Sequence, residues 1–293
     1  MTSESAAVEF RPVPRVDHVM VLIDATAYRD VAASAFLGER FGRLRRKDAD
    51  SSVAGAYATL GIAGENTLVE LFGSTMPGSA PLVGGLVFSF EEPGSSPAAR
   101  TLLDESGRVR YYHDLVRRAV PGSEEQQPWY HLINVDLGEA SPLLLFLNEV
   151  TPEYFRAIGA QPADGGRFRR RDYLDAVLGG PADGPRLLRD IAGITLAVRA
   201  ERARRIADAL GALGYTAAGD AGERVLTGPG LTIRLVIEEA GPERVAEIQL
   251  ALVPGRRDQD TPAELRFGET SRLVFGEDDT ARWIFGPMGR PER

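Results

Sequence analysis

The sequence predicts an α+β protein assembled from tandem βαβββ units, and three observations lead there. Short β-branched apolar runs of strand length recur along the chain, amphipathic helical stretches follow several of them, and the order strand, helix, strands repeats. Four units in series make two pairs, one over residues 15–155 and one over 190–286, with a helical connector over 156–189.

Residues 1–14 are polar, end in Pro12 and Pro14, and read as a disordered lead-in. Residues 16–23 form a β-branched apolar run of strand length. Asp24 or Thr26 then offers an N-cap. Tyr28, Val31, Ala32, Ala35 and Phe36 fall on one face of a helix that ends near Phe41 and Gly42. The basic, polar stretch that follows predicts a loop, and 55–60 and 66–72 predict strands around a Gly/Asn turn. In the second unit 82–91 is a strand and 97–105 a short helix, with Pro97 in its first turn and Gly107 beyond its end. Strands over 108–117, 128–137 and 142–150 complete that unit. An Arg-rich helix over 168–178 and a Gly/Pro loop over 179–185 lead to the third unit. There a strand (191–198) precedes an amphipathic helix (201–213) stopped by Gly214, and strands 223–227 and 231–237 pair across Gly228-Pro229-Gly230. The fourth unit keeps four strands (245–253, 265–267, 271–275, 282–285) but shows no helical stretch beyond one turn.

Composition narrows the chemistry. The 293 residues contain no cysteine, which removes disulfides, thiolate metal sites and cysteine nucleophiles together. A metal would have to rely on oxygen donors and on His18, His113 and His131. The net charge is −8, and no Lys/Arg face suits a phosphate backbone, so nucleic acid is not an expected partner. No apolar run approaches the ~18 residues of a membrane span, and the first ten residues lack the basic and apolar regions of a signal peptide. The expected compartment is the cytoplasm, with no membrane partner. Arg far outnumbers Lys, and Ala and Gly abound, as in a GC-rich bacterial genome. The glycine pairs at 84–85 and 179–180 lack a strand–GxGxxG–helix context, and no P-loop, GxSxG or HExxH pattern occurs.

Two stretches carry a family resemblance: Asp17-His18-Val19-Met20-Val21, followed by a helix, and Thr67-Leu68-Val69-Glu70-Leu71-Phe72. They resemble the first and last strands of a module of the vicinal oxygen chelate superfamily, the glyoxalase, bleomycin-resistance and extradiol dioxygenase-like proteins. With Phe146-Leu147-Asn148-Glu149-Val150-Thr151-Pro152 closing the second unit, the pattern is similar to a poorly characterised bacterial glyoxalase-like group. The likeness is good over 15–155 and weak over 190–286. It implies paired modules forming a U-shaped, partly closed β-barrel, followed by a second, degenerate pair. It also implies a divalent metal ion (Fe, Mn, Zn, Ni or Co) held by a first-strand His and a fourth-strand Glu, here His18 and Glu70.

The residues themselves point the same way. Alternation places His18, Met20 and Leu22 on one face of their strand and Leu68, Glu70 and Phe72 on one face of theirs. If the strands are neighbours, His18 and Glu70 share a cavity. A carboxylate inside Leu-Val-Glu-Leu-Phe is costly to bury unpaired, so it needs a metal, a cation or several donors. The first strand of the second unit, 84–89, offers no ligand, which leaves His131 or Glu149 as the third. Glu70, His18 and Glu149 are also the candidate acid/base groups, and Tyr57, Tyr112, Trp129 and Asn148 the candidate substrate contacts. Each has an ordinary structural alternative. His18 can be a hydrogen-bonded core histidine, Glu70 a salt-bridge partner, Glu149 a solvated strand end, His113 an edge residue and the aromatics strand packing. The arginines at 167–171 suit a solvated connector face. The second pair has Gly193 or Ile194 where the first has His18 and no acid over 232–236. Only Glu247 and Gln249 are polar candidates there, so it reads as a structural or dimerising half, with a homodimer left open.

The expectation is an enzyme: a metal-dependent isomerase, lyase or dioxygenase acting on a small oxygen-rich substrate, in bacterial secondary metabolism (biosynthesis). Two rivals stand beside it. One is a metal-free binding protein that sequesters a flat hydrophobic natural product. The other is a metal-free cyclase or isomerase using Glu70 and His18 as acid and base.

Overall fold

The structure, a computed structural model, describes residues 11–51, 55–73, 76, 82–120, 125–162, 166–180 and 184–287, with side chains undescribed at 48–51 and 55–57. The lead-in up to residue 10 lies outside the described residues.

The first unit comprises β1 (Arg15–Leu22), α1 (Ala25–Ala33), β2 (Arg43–Ser51), β3 (Gly55–Ala63) and β4 (Leu68–Phe72). The second comprises β5 (Gly84–Ser89), α2 (Ser95–Ser106), β6 (Tyr111–Ala119), β7 (Gln126–Val135) and β8 (Leu143–Val150). Two connector helices follow, α3 (Pro152–Ala157) and α4 (Arg170–Leu178). The third unit is β9 (Leu188–Val198), α5 (Ala200–Ala212), β10 (Thr216–Gly219), β11 (Glu223–Gly228) and β12 (Leu231–Ile237). The fourth is β13 (Arg244–Leu252), β14 (Glu264–Phe267), β15 (Ser271–Phe275) and β16 (Thr280–Phe285).

These strands make two mixed eight-stranded sheets with the same internal order, β2-β3-β4-β1-β5-β8-β7-β6 and β10-β11-β12-β9-β13-β16-β15-β14. The fold is α+β, and the described strands form two sheets rather than a closed barrel. Within the first three units the first and last strands run parallel, β1 with β4, β5 with β8 and β9 with β12. The fourth unit breaks the rule: β13 and β16 are antiparallel. The cause is its missing helix. A parallel partner needs a long crossover, and without one the chain enters β14 in the opposite sense and reverses the whole meander.

Four elements depart from the sequence reading. The helix expected to reach Phe41 stops at Ala33, and a separate π-helical turn, Leu37–Phe41, follows it. The basic stretch after Gly42 is strand β2, paired antiparallel with β3 from Arg43 opposite Ala63 to Ser51 opposite Gly55. Its charge is that of an exposed sheet edge, where Lys and Arg discourage further pairing. The short helix α3 and the edge strand β10 escape the periodicity because both are brief. Of the two cap candidates Asp24 serves α1, accepting from the N–H groups of Thr26 (2.9 Å) and Ala27 (2.8 Å). One apolar core runs through the whole protein, joining Val19, Val21 and Leu147 of the first sheet to α1, α2, α5 and Ile194, Ile248 and Trp283 of the second. Among the described residues no helix is long and apolar enough to cross a membrane.

Candidate functional site

The first sheet buries one face in that core. Its other face forms a cup floored by Met20, Phe72, Met76 and Val87, with Leu22, Leu144 and Phe146 beside them. A β-bulge in β1 builds the polar centre of this cup. Val16 pairs with Phe88 and His18 with Val87, so Asp17 is the extra residue. Successive strand residues normally point to opposite faces, and a bulge turns two of them to one side. Val16 and Val19 accordingly join the core, while Asp17 and His18 touch each other. His18 Nδ1 lies 2.5 Å from Asp17 Oδ1, and His18 Nε2 lies 3.6 Å from Glu70 Oε2. Glu70 reaches it diagonally, since β4 pairs Leu68 with His18 and Glu70 with Met20.

Asp17 is 2% exposed and is held by an Arg170 guanidinium nitrogen at 2.8 Å. Burial alone pushes its carboxyl up, but Arg170, His18 and the side-chain amide of Asn148 more than offset this and keep it below the usual aspartate range. A carboxylate fixed on Nδ1 makes that nitrogen the donor and leaves Nε2 as the acceptor facing Glu70. Lys47 of β2 sits within electrostatic reach of Glu70, and also of Arg118 from β6 at the opposite edge of the sheet order. Burial, then Arg118, draws its amine below the usual lysine range, against the pull of Glu70.

The structure brings together His18, Glu70 and Asn148 from the sequence-predicted set and adds Asp17 and Arg170. Phe146 and Asn148 face the cup, Phe146 with its ring edge-on to His18 at 6.3 Å between centroids. Glu149 therefore points to the other face. There it accepts hydrogen bonds from Gly94 N (2.7 Å) and Ser96 N (2.6 Å) at the start of α2, the place where a helix favours an anion. His131, opposite Glu149 in the ladder, is on that same far face and exposed. Neither reaches His18. Replacing Glu149 by Ala should cost about 1–2 kcal/mol in urea unfolding, because two amide donors at a helix start lose the carboxylate that accepts from them.

Tyr112 is 59% exposed and donates to Asp114 at 2.9 Å. Trp129 packs with Tyr154, Phe155 and Tyr173, beneath the Arg118 guanidinium at 4.6 Å from its ring. The side chain of Tyr57 lies outside the described part of the structure. His113 is exposed on β6. Gly85 is a packing glycine: a Cβ there would meet Leu144 at 2.6 Å. Sequence reasoning missed Asp17, whose polarity on a buried strand was visible without the bulge that re-aims it. It also missed Arg170, hidden within an arginine run.

The second sheet repeats the frame without the site. Gly193 takes the register of His18, and Arg234 that of Glu70. Gln249 lies where a side chain at 193 would go, its Oε1 2.6 Å from the position of a Cβ. Arg234 is tied to Glu223 at 2.5 Å and Arg282 to Glu247 at 3.5 Å.

The donor set can be compared with a metal's needs. His18 Nε2 and Glu70 are close enough to share an ion, and a carboxylate on the second imidazole nitrogen is the usual outer partner of a metal-bound histidine. The cup-facing residues aligned with His18 on β5 and β8 are Val87 and Phe146, which donate nothing. Among the described residues no group of three or more His, Asp or Glu side chains could hold an ion. Two side-chain donors fall short of the three usual in a catalytic site.

Solved structures similar to this chain include a hypothetical protein from Staphylococcus aureus at 10% identity and TM-score 0.50, covering 90% of this chain and 95% of that one. A Mn(II)-bound glyoxalase from Novosphingobium aromaticivorans matches at 11% identity and TM-score 0.45, over 81% of this chain and 65% of its own. This chain thus spans just under two thirds of the glyoxalase's length. A variant of homoprotocatechuate 2,3-dioxygenase from B. fuscum matches at 12% identity and TM-score 0.45, over 98% and 76%. At such identities the likeness concerns the fold alone. No curated protein matches the sequence. A family model described as a family of unknown function, DUF5829, matches residues 16–285, and the chain belongs to that family.

Proposed function

We propose that this chain is an enzyme that moves a proton on a small, oxygen-rich, anionic substrate held in the cup of the first sheet, in an isomerisation or elimination. The observation that carries this reading is the placement of His18 between two carboxylates, Asp17 on Nδ1 at 2.5 Å and Glu70 beside Nε2 at 3.6 Å. Asp17, kept ionised by Arg170, orients the ring and stabilises its protonated form. Nε2 takes the proton from one substrate atom and passes it to the Glu70 carboxylate beside it. Glu70 then delivers it to the neighbouring atom, which returns both groups to their starting state; such proton transfer is worth about 10²–10⁴ in rate. Lys47, aligned through Thr59 with Phe72 on the cup side of the sheet, supplies positive charge for the substrate's oxygens. The metal-dependent form of this chemistry needs a further donor where Val87 and Phe146 stand, so no step is assigned to a metal.

The test is solvent exchange. The protein is incubated in D₂O with a panel of small oxo- and hydroxy-acids, deuterium incorporation is followed by NMR, and bound metal is measured on protein purified without chelator. Wild type should catalyse exchange of at least one substrate, and His18→Ala should lose about 10²-fold or more, with metal well below one ion per chain. Stoichiometric metal that disappears in both His18→Ala and Glu70→Gln would replace this reading with a two-ligand chelate. Tight binding of a flat apolar compound, with no exchange on any substrate, would favour the sequestering rival.

A further inference from the structure

On the far side of Asp17 from the cup lies a separate cavity of about 220 Å³. It is bounded by the ends of β5 and β8, by α3, by residues 166–170 and by the first turn of α4. Asp17 belongs to its wall, while His18 and Glu70 do not.

Two features of the wall point to an occupant. The first is a pair of unused polar atoms. Ser89 is 4% exposed, and its hydroxyl oxygen is buried without a hydrogen-bond partner. Arg170 spends one terminal nitrogen on Asp17, yet its Nε is buried and unpartnered. Native interiors seldom leave such groups unmet, and both can donate to an oxygen. The second is the balance of charge. The wall's acids are engaged: Asp17 by Arg170 and His18, Glu149 by the amides of Gly94 and Ser96, Glu92 by Arg167 and Glu91 by the amide of Arg170. Arg156 has no ion-pair partner among the described residues and lies exposed at the rim. The surplus is thus one cation and two donors. The apolar part of the wall is aromatic, with Phe155 and Phe168 stacked at 4.6 Å and Tyr173 beside Phe155.

We propose that this cavity is a second ligand site, taking a small aromatic monocarboxylate whose ring rests on Phe155, Phe168 and Tyr173 and whose carboxylate meets Ser89, Arg170 and Arg156. The volume suits one ring, since roughly 150 Å³ of apolar space accommodates benzene. The proposal is independent of the proton-transfer reading, because the cup and this cavity share only Asp17.

Benzoate is the probe, titrated by calorimetry into the full chain. Wild type should bind one equivalent saturably. Arg156→Gln and Ser89→Ala should each weaken binding by about tenfold, the scale of a lost hydrogen bond to a charged group. Benzyl alcohol, which keeps the ring and loses the charge, should bind at least as much more weakly. Glu70→Gln, a change in the cup, should leave benzoate affinity unaltered. The site is refuted by an absence of saturable binding, by equal affinity in wild type and Arg156→Gln, or by loss of binding in Glu70→Gln. Arg156 is exposed, so its variant stays folded and the test remains decisive even if Ser89→Ala does not fold.

Discussion

Arg170→Met should destabilise the protein by about 3–5 kcal/mol at neutral pH, the usual cost of breaking a buried ion pair from one side. At roughly 2–4 °C per kcal/mol for a chain of this size, the melting temperature should fall by about 10 °C. Arg170 is 10% exposed and Asp17 3% by side chain, so solvent cannot replace the lost partner. The stacking of the guanidinium over Tyr173, 4.9 Å from its ring, goes with it. The pH dependence fixes the cause. Asp17 titrates below the usual aspartate range in the folded protein, so its contribution is present above the unfolded-state pKa and drains away as pH falls through the lower native value. Without Arg170 that native value rises. The penalty should therefore be largest near neutrality and shrink as the pH falls through that raised value towards the low wild-type one, because protonation neutralises the stranded carboxyl. A pH-independent loss, read from urea melts between pH 3 and 7, would assign the effect to packing instead.

Arg202→Met should cost a similar amount, again about 3–5 kcal/mol. Arg202, on α5, donates to both oxygens of Glu243, through Nε at 3.1 Å and Nη2 at 2.9 Å. Its remaining terminal nitrogen donates to the carbonyl of Leu137 in the first half. Burial raises the Glu243 carboxyl, but Arg202 and the Arg199 amide more than compensate and hold it low. Removing Arg202 strands an acid and a carbonyl at once. Replacing both partners, Arg202→Met with Glu243→Leu, should recover most of the loss, because no unpaired charge then remains. A double variant as unstable as the single one would show that the Leu137 contact dominates.

Much of the frame was legible in the residues. The repeat of strand, helix and strands announces paired units, and alternation alone places His18 and Glu70 on facing sides of two strands that do turn out to be neighbours. What escaped has physical reasons. A bulge shifts the phase of a strand by one residue and leaves no mark in composition, so Asp17 reads as a residue facing away from His18. Arg170 lies among five consecutive positions of which four are arginine, and which of them enters the interior is decided by a contact with a strand far away in sequence. Glu149 looks like a ligand at the end of β8 until α2, packed behind it, claims both of its oxygens. The charges of β2 read as a loop because edge strands and loops meet the same solvent.

The reversed meander of the fourth unit also sets a timetable. It delivers the turn between β14 and β15 onto α1, where Thr270 donates to the capping carboxylate of Asp24 and the amide of Gly268 donates to Asp30. Thr270 is 246 residues downstream of Asp24. At translation speeds of roughly 5–20 residues per second, the helix emerges on the order of 12–50 s before its clasp exists. During synthesis α1 must wait on the ribosome with one side of its first turn open, and the earliest-made part of the protein is among the last to be locked.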